Sequence, residues 1–219
     1  MHIYYLPIRS QIWNETDTNL LEYISTTRRE KVQRYMHISD QKLSLYAGLL
    51  ARMELSQLSG IPHSQLQFEY KDNHKPCFLS VPSFDFSLSH TYSAILCCIS
   101  SDKAVGADIE KINDPPYEVM KNVFHPEEIQ YVHSAPINRR ANRFFEVWTR
   151  KEAYTKYLGV GLIYDLLSCN TLSCTLSAHL FTWQQEDYLC SVYGDTPDMN
   201  NVKVISEREI HRYFLENDI

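Results

Sequence analysis

Several absences narrow this chain before any motif is read. Its six cysteines, Cys77, Cys97, Cys98, Cys169, Cys174 and Cys190, form no C-x-x-C pair and no zinc-ligand spacing. Cys97 and Cys98 fall in an apolar run, where a thiol serves as a small core residue, so all six are read as reduced. Positive charge is in deficit: 21 Lys plus Arg face 27 Asp plus Glu, a formal net charge of −6. That argues against general nucleic-acid binding, although a local basic patch for one phosphorylated ligand stays compatible. No apolar run approaches the ~18 residues needed to span a bilayer. The N-terminal residues lack the basic start and apolar centre of a signal peptide, so the expected location is cytoplasmic. There is no G-x-x-x-x-G-K-[ST] loop for a nucleotide triphosphate, no low-complexity tract and no visible internal repeat.

What remains is an ordinary globular composition, 44% hydrophobic and 22% charged over 219 residues. That suffices for one large domain or two small ones with a sizeable core. The pattern predicts a strand over residues 2–6, stopped by Pro7, then a helix over 19–36 with Leu20, Leu21, Ile24, Val32 and Tyr35 inward. A largely buried helix is expected from a Ser39 cap to Leu58, ended by Gly60 and Pro62. Residues 71–76 read as a polar turn. Residues 84–90 alternate, with Phe84, Phe86 and Leu88 inward and Asp85, Ser87 and Ser89 outward. Residues 94–99 suit a central strand, and with the next strand they make an expected antiparallel meander. The break at 113–116 separates two compact halves of an α+β fold. His125, Pro126, Glu127 and Glu128 look like a helix start. Strands are expected at 188–193 and 202–205, and a terminal helix at 207–215.

Two stretches carry candidate chemistry. In residues 104–111, Val105, Ala107 and Ile109 share one strand face, and Gly106, Asp108 and Glu110 the other. The two carboxylates lie roughly 7 Å apart, beside a glycine expected to leave room for a ligand. Like charges so placed need water or a bridging cation, and hard oxygens suit magnesium. A solvated outer face is the competing reading. In residues 144–156, Trp148, Glu152 and Lys156 recur at i, i+4 and i+8 on one helix face, which alone describes any amphipathic helix. Arg28, Arg29, Lys31 and Arg34 form a basic cluster, either a solvated face or a phosphate clamp.

Together, G-x-D-x-E and W-x-x-K-E-A-x-x-K resemble the surfactin-type (group II) 4′-phosphopantetheinyl transferases. The likeness runs from Arg28 to about Leu162 and includes Phe86-Ser-Leu-Ser-His90 and the Lys75-Pro76 pair. His74 stands where that family usually has glycine. The resemblance implies a pseudo-dimer of two similar α/β halves, residues 1–104 binding coenzyme A and 105–219 carrying metal and catalytic residues. The last helix is expected to pack back on the first half. It implies transfer of the 4′-phosphopantetheine arm of coenzyme A to a serine of an apo acyl or peptidyl carrier protein, with release of 3′,5′-ADP. The carriers expected are those of fatty-acid, polyketide or nonribosomal-peptide synthesis.

Carried over by position, Asp108, Glu110 and Glu152 match the Mg²⁺ ligands, with Mn²⁺ as a possible substitute, and Glu152 also matches the general base. Lys156 matches the lysine on the coenzyme A phosphates, and Ser89 and His90 the phosphate-binding pair. Lys75 matches a further contact, and Arg28 and Lys31 a basic pair on the 3′-phosphate. Ser44, which stands where threonine is frequent, matches another coenzyme A contact, and Ala107 is smaller than the usual valine or isoleucine. A monomer, without nucleic acid or membrane, is implied. Two rival classes remain: another Mg-dependent phosphoester enzyme such as a hydrolase, and a non-catalytic module binding coenzyme A or a carrier. The apolar residues of 117–124, among them Val119, Met120, Val123 and Phe124, are a candidate carrier-docking surface or plain core.

Overall fold

In the computed structural model, which describes residues 1–70, 75–160, 165–195 and 202–216, one succession of elements is run twice. The first run opens with strand β1 (His2–Pro7). Helices α1 (Glu15–Leu20), α2 (Thr26–Arg34) and α3 (Ile38–Ser59) follow. A short pair, β2 (Phe68–Tyr70) and β3 (Pro76–Phe78), leads into the hairpin of β4 (Asp85–Thr91) and β5 (Ala94–Ser100). The second run opens with β6 (Gly106–Lys111) and continues through α4 (Met120–Val123), α5 (Pro126–His133) and α6 (Arg140–Leu158). It passes α7 (Cys174–Ser177) and closes with the hairpin of β7 (Leu180–Gln185) and β8 (Tyr188–Tyr193). Strand β9 (Val202–Val204) and helix α8 (Glu207–His211) come last.

The strand orders match: β4-β5-β1-β9 in one sheet and β7-β8-β6 in the other. In both, the opening strand lies antiparallel beside the second strand of the hairpin. Each hairpin turns on two residues, and the first of each, Tyr92 and Glu186, sits at positive φ, 49° and 54°. Each turn also accepts a main-chain hydrogen bond from the residue after the opening strand, Ile8 N to Ser93 O and Ile112 N to Asp187 O. The two halves of a pseudo-dimer are thus repeated in topology.

The long helices also end alike. Gly60 and Gly159 cap α3 and α6 in the left-handed conformation, φ 71° and 68°, which glycine adopts without a Cβ clash. Two turns earlier each helix buries a cation that holds the loop beyond. Arg52 donates to His63 O and Leu66 O; Lys151 donates to Leu166 O and Cys169 O. Lys151 adds an ion pair at 2.8 Å with the buried Glu128.

Three apolar clusters hold the fold. Tyr4 and Leu6 of β1 face the α3 core, while Ile3 and Tyr5 face the layer between the two sheets. Both faces of β1 are therefore covered, as are those of β5, whose seven residues are all buried. The third cluster lies under α6 and includes Phe124, Phe144 and Val147. β9 pairs parallel with β1, and Ile205, Ile210 and Phe214 enter the α3 core.

Four expectations are corrected. The helix over 19–36 is broken: Ile24 is extended, and Ser25 caps a new helix by accepting from Arg28 N. Helix α3 starts at Ile38 behind His37, so Ser39 lies inside it rather than capping it. The meander does not form, because β6 leaves β4 and β5 to pair with β8. The outward Ser87 and Ser89 are buried, because β6 packs over that face of β4. Most of the polar turn at 71–76, with His74, Gly161 and Leu162, lies outside the described residues.

Candidate active site

Strands β4 and β6 share no backbone ladder. They meet through side chains spaced at the two-residue period of β4. Asp85 Oδ2 accepts from Val105 N at 2.9 Å, and Ser87 Oγ from Ala107 N at 3.0 Å. Ser89 Oγ donates to Asp108 Oδ1 at 2.7 Å, and Thr91 Oγ1 to Glu110 Oε2 at 3.2 Å. Helix α6 closes the site from the other side. A Cβ on Gly106 would fall 1.9 Å from Ala153 O and 2.5 Å from Tyr157 N. The space expected there for a ligand is filled by helix backbone, and this close approach brings Glu152 and Lys156 to β6. Lys156 Nζ lies 2.6 Å from Asp108 Oδ1 and 3.0 Å from Ser89 Oγ.

The charges are unbalanced. Asp108 is 3% exposed, and its Oδ2 is buried with no hydrogen-bond partner among the described residues. Burial, and then the Asp108 charge, raise the Glu110 carboxyl to about 7 against the opposing Thr91 hydrogen bond and Lys156. The same two causes raise Glu152, with Lys156 opposing. Three carboxylates thus share one ammonium. As the side chains stand, no three acidic, histidine or cysteine residues among the described residues converge as a ready metal cage; Lys156 is the counter-charge on Asp108 Oδ1. The orphaned Oδ2 and the mutually raised carboxyls nevertheless suit a hard divalent cation, whose charge would favour their ionised forms.

A second group is cationic. Ser89 and His90 are adjacent on β4 and so point to its opposite faces, although Lys156 bonds to Ser89 and its charge reaches His90. Burial first, then the charges of Arg28, Lys31 and Lys156, lower the His90 pKa to about 4. Arg28 lies across α3, with Nη1 3.1 Å from Ser44 O. It can do so because Gly48 has no side chain: a Cβ there would fall 2.4 Å from Arg28 Cδ. Ser44 itself is fully buried, and its Oγ has no partner among the described residues. Lys75 bonds to Asp85 Oδ2 at 2.6 Å and Val105 O at 3.1 Å, buttressing the far end of the seam.

The structure therefore gathers Ser89, Asp108, Glu110, Glu152 and Lys156 in one cluster, with Arg28, Lys31 and His90 in an adjoining one. Ser44 joins the second by its carbonyl, and Lys75 stands apart from both. Thr91, Ser87 and Gly48 were missed in the sequence. Thr91 continues the hydroxyl period of Ser87 and Ser89, and a glycine amid a long helix flags a close approach. In the candidate docking segment, Met120 and Phe124 are core residues, 3% and 0% exposed.

Comparison with known proteins identifies the family. A family model described as 4′-phosphopantetheinyl transferase, N-terminal, matches residues 11–102, and one described as 4′-phosphopantetheinyl transferase superfamily matches residues 104–203. Their junction falls just ahead of β6, where the second run begins. The chain is 32% identical over 149 residues to the 4′-phosphopantetheinyl transferase psf-1 of Bacillus pumilus, covering 68% of this chain and 64% of that protein. To the 4′-phosphopantetheinyl transferase gsp of Aneurinibacillus migulanus it is 34% identical over 155 residues, covering 68% and 63%. To the 4′-phosphopantetheinyl transferase Sfp of Bacillus subtilis (strain 168) it is 27% identical over 162 residues, covering 74% and 72%. The matched part spans just under two thirds of the length of the first two relatives. With both runs matched in order, this chain belongs to the 4′-phosphopantetheinyl transferase superfamily.

Proposed function

We propose that this chain transfers the 4′-phosphopantetheine arm of coenzyme A to a serine of an apo acyl or peptidyl carrier protein, releasing 3′,5′-ADP. The observation that carries the reading is that Asp108, Glu110 and Glu152 act on one another's charge around Lys156, beside a separate cationic group. A substrate with a pyrophosphate and a distant 3′-phosphate needs both. Residues 1–104 bind coenzyme A, and residues 105–219 supply the cation ligands and the catalytic groups. Both halves lie in one chain, so a monomer suffices. Among the described residues no helix is long and apolar enough to cross a membrane, and we assign the protein to the cytoplasm, without membrane or nucleic-acid partners.

Asp108, Glu110 and Glu152 would hold a magnesium ion, or manganese in its place. When bound, such an ion withdraws charge from the attacked phosphorus and neutralises pyrophosphate oxygens. Glu152 takes the proton of the attacking serine hydroxyl, directly or through a water. Lys156, already inside the carboxylate cluster, exchanges its bond to Asp108 for a phosphate oxygen and stabilises the departing charge. Arg28 and Lys31 take the 3′-phosphate with His90 beside them, and Ser89 holds Asp108 in place. Ser44 supports Arg28 through its carbonyl, and Lys75 supports β6 through Asp85 and Val105 O.

The test is mass spectrometry of an apo carrier protein after incubation with this protein, coenzyme A and magnesium, against an EDTA control. The expected result is a gain of one phosphopantetheine unit that EDTA abolishes. Consumption of coenzyme A with no gain on several carriers would replace the reading by a hydrolase. Coenzyme A bound but intact would replace it by a binding module.

A further inference from the structure

Three hydroxyls recur at every second residue of β4, and each is tied to β6. Ser87 accepts from a main-chain N–H, and Ser89 shares Asp108 Oδ1 with Lys156. Among the described residues, Thr91 alone hydrogen-bonds Glu110, at Oε2, 3.2 Å. From this ladder we infer that Thr91 is a positioning residue: its hydroxyl fixes the Glu110 carboxylate so that it serves, with Asp108, as ligand to a divalent cation. The inference deepens the transferase reading and rests on it.

Glu110 stands one residue from the end of β6, next to the Asp108 charge that repels it. A glutamate has several free torsions, and repulsion alone would swing the carboxylate away. Thr91 counters this from a rigid base. It closes the β4 ladder opposite Ala94, and its β-branched side chain is restricted at χ1. The hydroxyl engages one oxygen of Glu110, as Ser89 engages one oxygen of Asp108, whose other oxygen has no partner among the described residues. Each carboxylate is thus held by one hydroxyl of the neighbouring sheet. Partners that orient a metal ligand change metal affinity by about 10–100-fold when lost.

The experiment compares the full-length chain with Thr91→Val, which keeps the shape and removes the hydroxyl, and Thr91→Ser, which keeps the hydroxyl. Mn²⁺ binding is followed directly by electron paramagnetic resonance, with thermal unfolding of each variant as a check on the fold. Thr91→Val is expected to bind Mn²⁺ about 10-fold or more weakly and to need correspondingly more magnesium for half-maximal transfer, with kcat at saturating magnesium preserved. Thr91→Ser is expected to match the wild type. Wild-type affinity in Thr91→Val, or equal losses in both variants, would overturn the inference while leaving the transferase reading in place. A wild-type chain showing neither Mn²⁺ binding nor metal-dependent transfer would overturn both.

Discussion

Matching Ile8 with Ile112, through their equivalent bonds to the hairpin turns, sets Tyr4 against Asp108 and Leu6 against Glu110. Matching the capping glycines Gly60 and Gly159 sets Met53 against Glu152 and Gln57 against Lys156. Where the second run carries three carboxylates and an ammonium, the first carries a tyrosine, a leucine, a methionine and an amide. Tyr4, Leu6 and Met53 are all buried in the α3 core. The hydroxyls Ser89 and Thr91 of β4 correspond to Trp183 and Gln185 of β7. The frame is therefore indifferent to the chemistry: the same topology supports a sealed core on one side and a charged seam on the other. What the runs keep in common is structural, the capping glycines and the buried cations two turns ahead of them.

The largest expected effect tests that asymmetry. Asp108→Ala should lower transfer by about 10³-fold or more and leave the thermal unfolding profile intact. Tyr4→Phe at the matched position should leave transfer unchanged, and loss of transfer there would break the comparison. Glu152→Gln should lower kcat by about 10²–10⁴, against no change for Met53→Leu; an undiminished rate in Glu152→Gln would remove its role as base.

The buried cations sharpen the structural half of the comparison. Lys151→Met strands the Glu128 charge and should cost about 3–5 kcal/mol in urea unfolding. Arg52→Met loses hydrogen bonds to carbonyls and the cation–π contact of its guanidinium with the Phe68 ring at 4.9 Å, but strands no charge, an expected cost of about 1–3 kcal/mol. Equal costs would mean that the Glu128 pair adds nothing. The smallest effect concerns His90, matched in β7 by the uncharged Gln184. Its pKa falls from 6.5 to about 4 on folding, so unfolding takes up a proton at acid pH. Its contribution is complete above pH 6.5 and is lost as pH falls toward 4. His90→Gln should flatten stability over that window, and an unchanged acid profile would mean that neither burial nor the neighbouring cations hold His90 neutral.

Much of this was legible. Helix α3 announces itself by its terminal Gly60 and α6 by the spacing of Trp148, Glu152 and Lys156, and the apolar run of β5 reads as a central strand because both its faces are covered. The motif around Asp108 and the Trp148–Lys156 helix face were visible by spacing. Pairing was not. Ser87 and Ser89 alternate with apolar residues as a wetted face would, because alternation cannot distinguish water from the backbone and carboxylates of another strand. Gly106 read as open space, since a missing side chain is as consistent with a helix pressing in as with a ligand. The break at Ile24 escaped because apolar spacing continues through it. Lys75 read as a further ligand contact; its bond to Asp85 was not visible because the two become neighbours only when β3 and β4 meet.

The parallel pairing of β9 with β1 also dictates an order of assembly. Until residues 202–204 arrive, β1 is an open edge, with unpaired N–H and C=O groups that template aggregation. As the chain leaves the ribosome, the first sheet must wait for nearly the whole second run before that edge is closed. A fragment ending before β6 would carry this exposed edge permanently. The two halves, alike as they are, are thus obliged to mature as one unit.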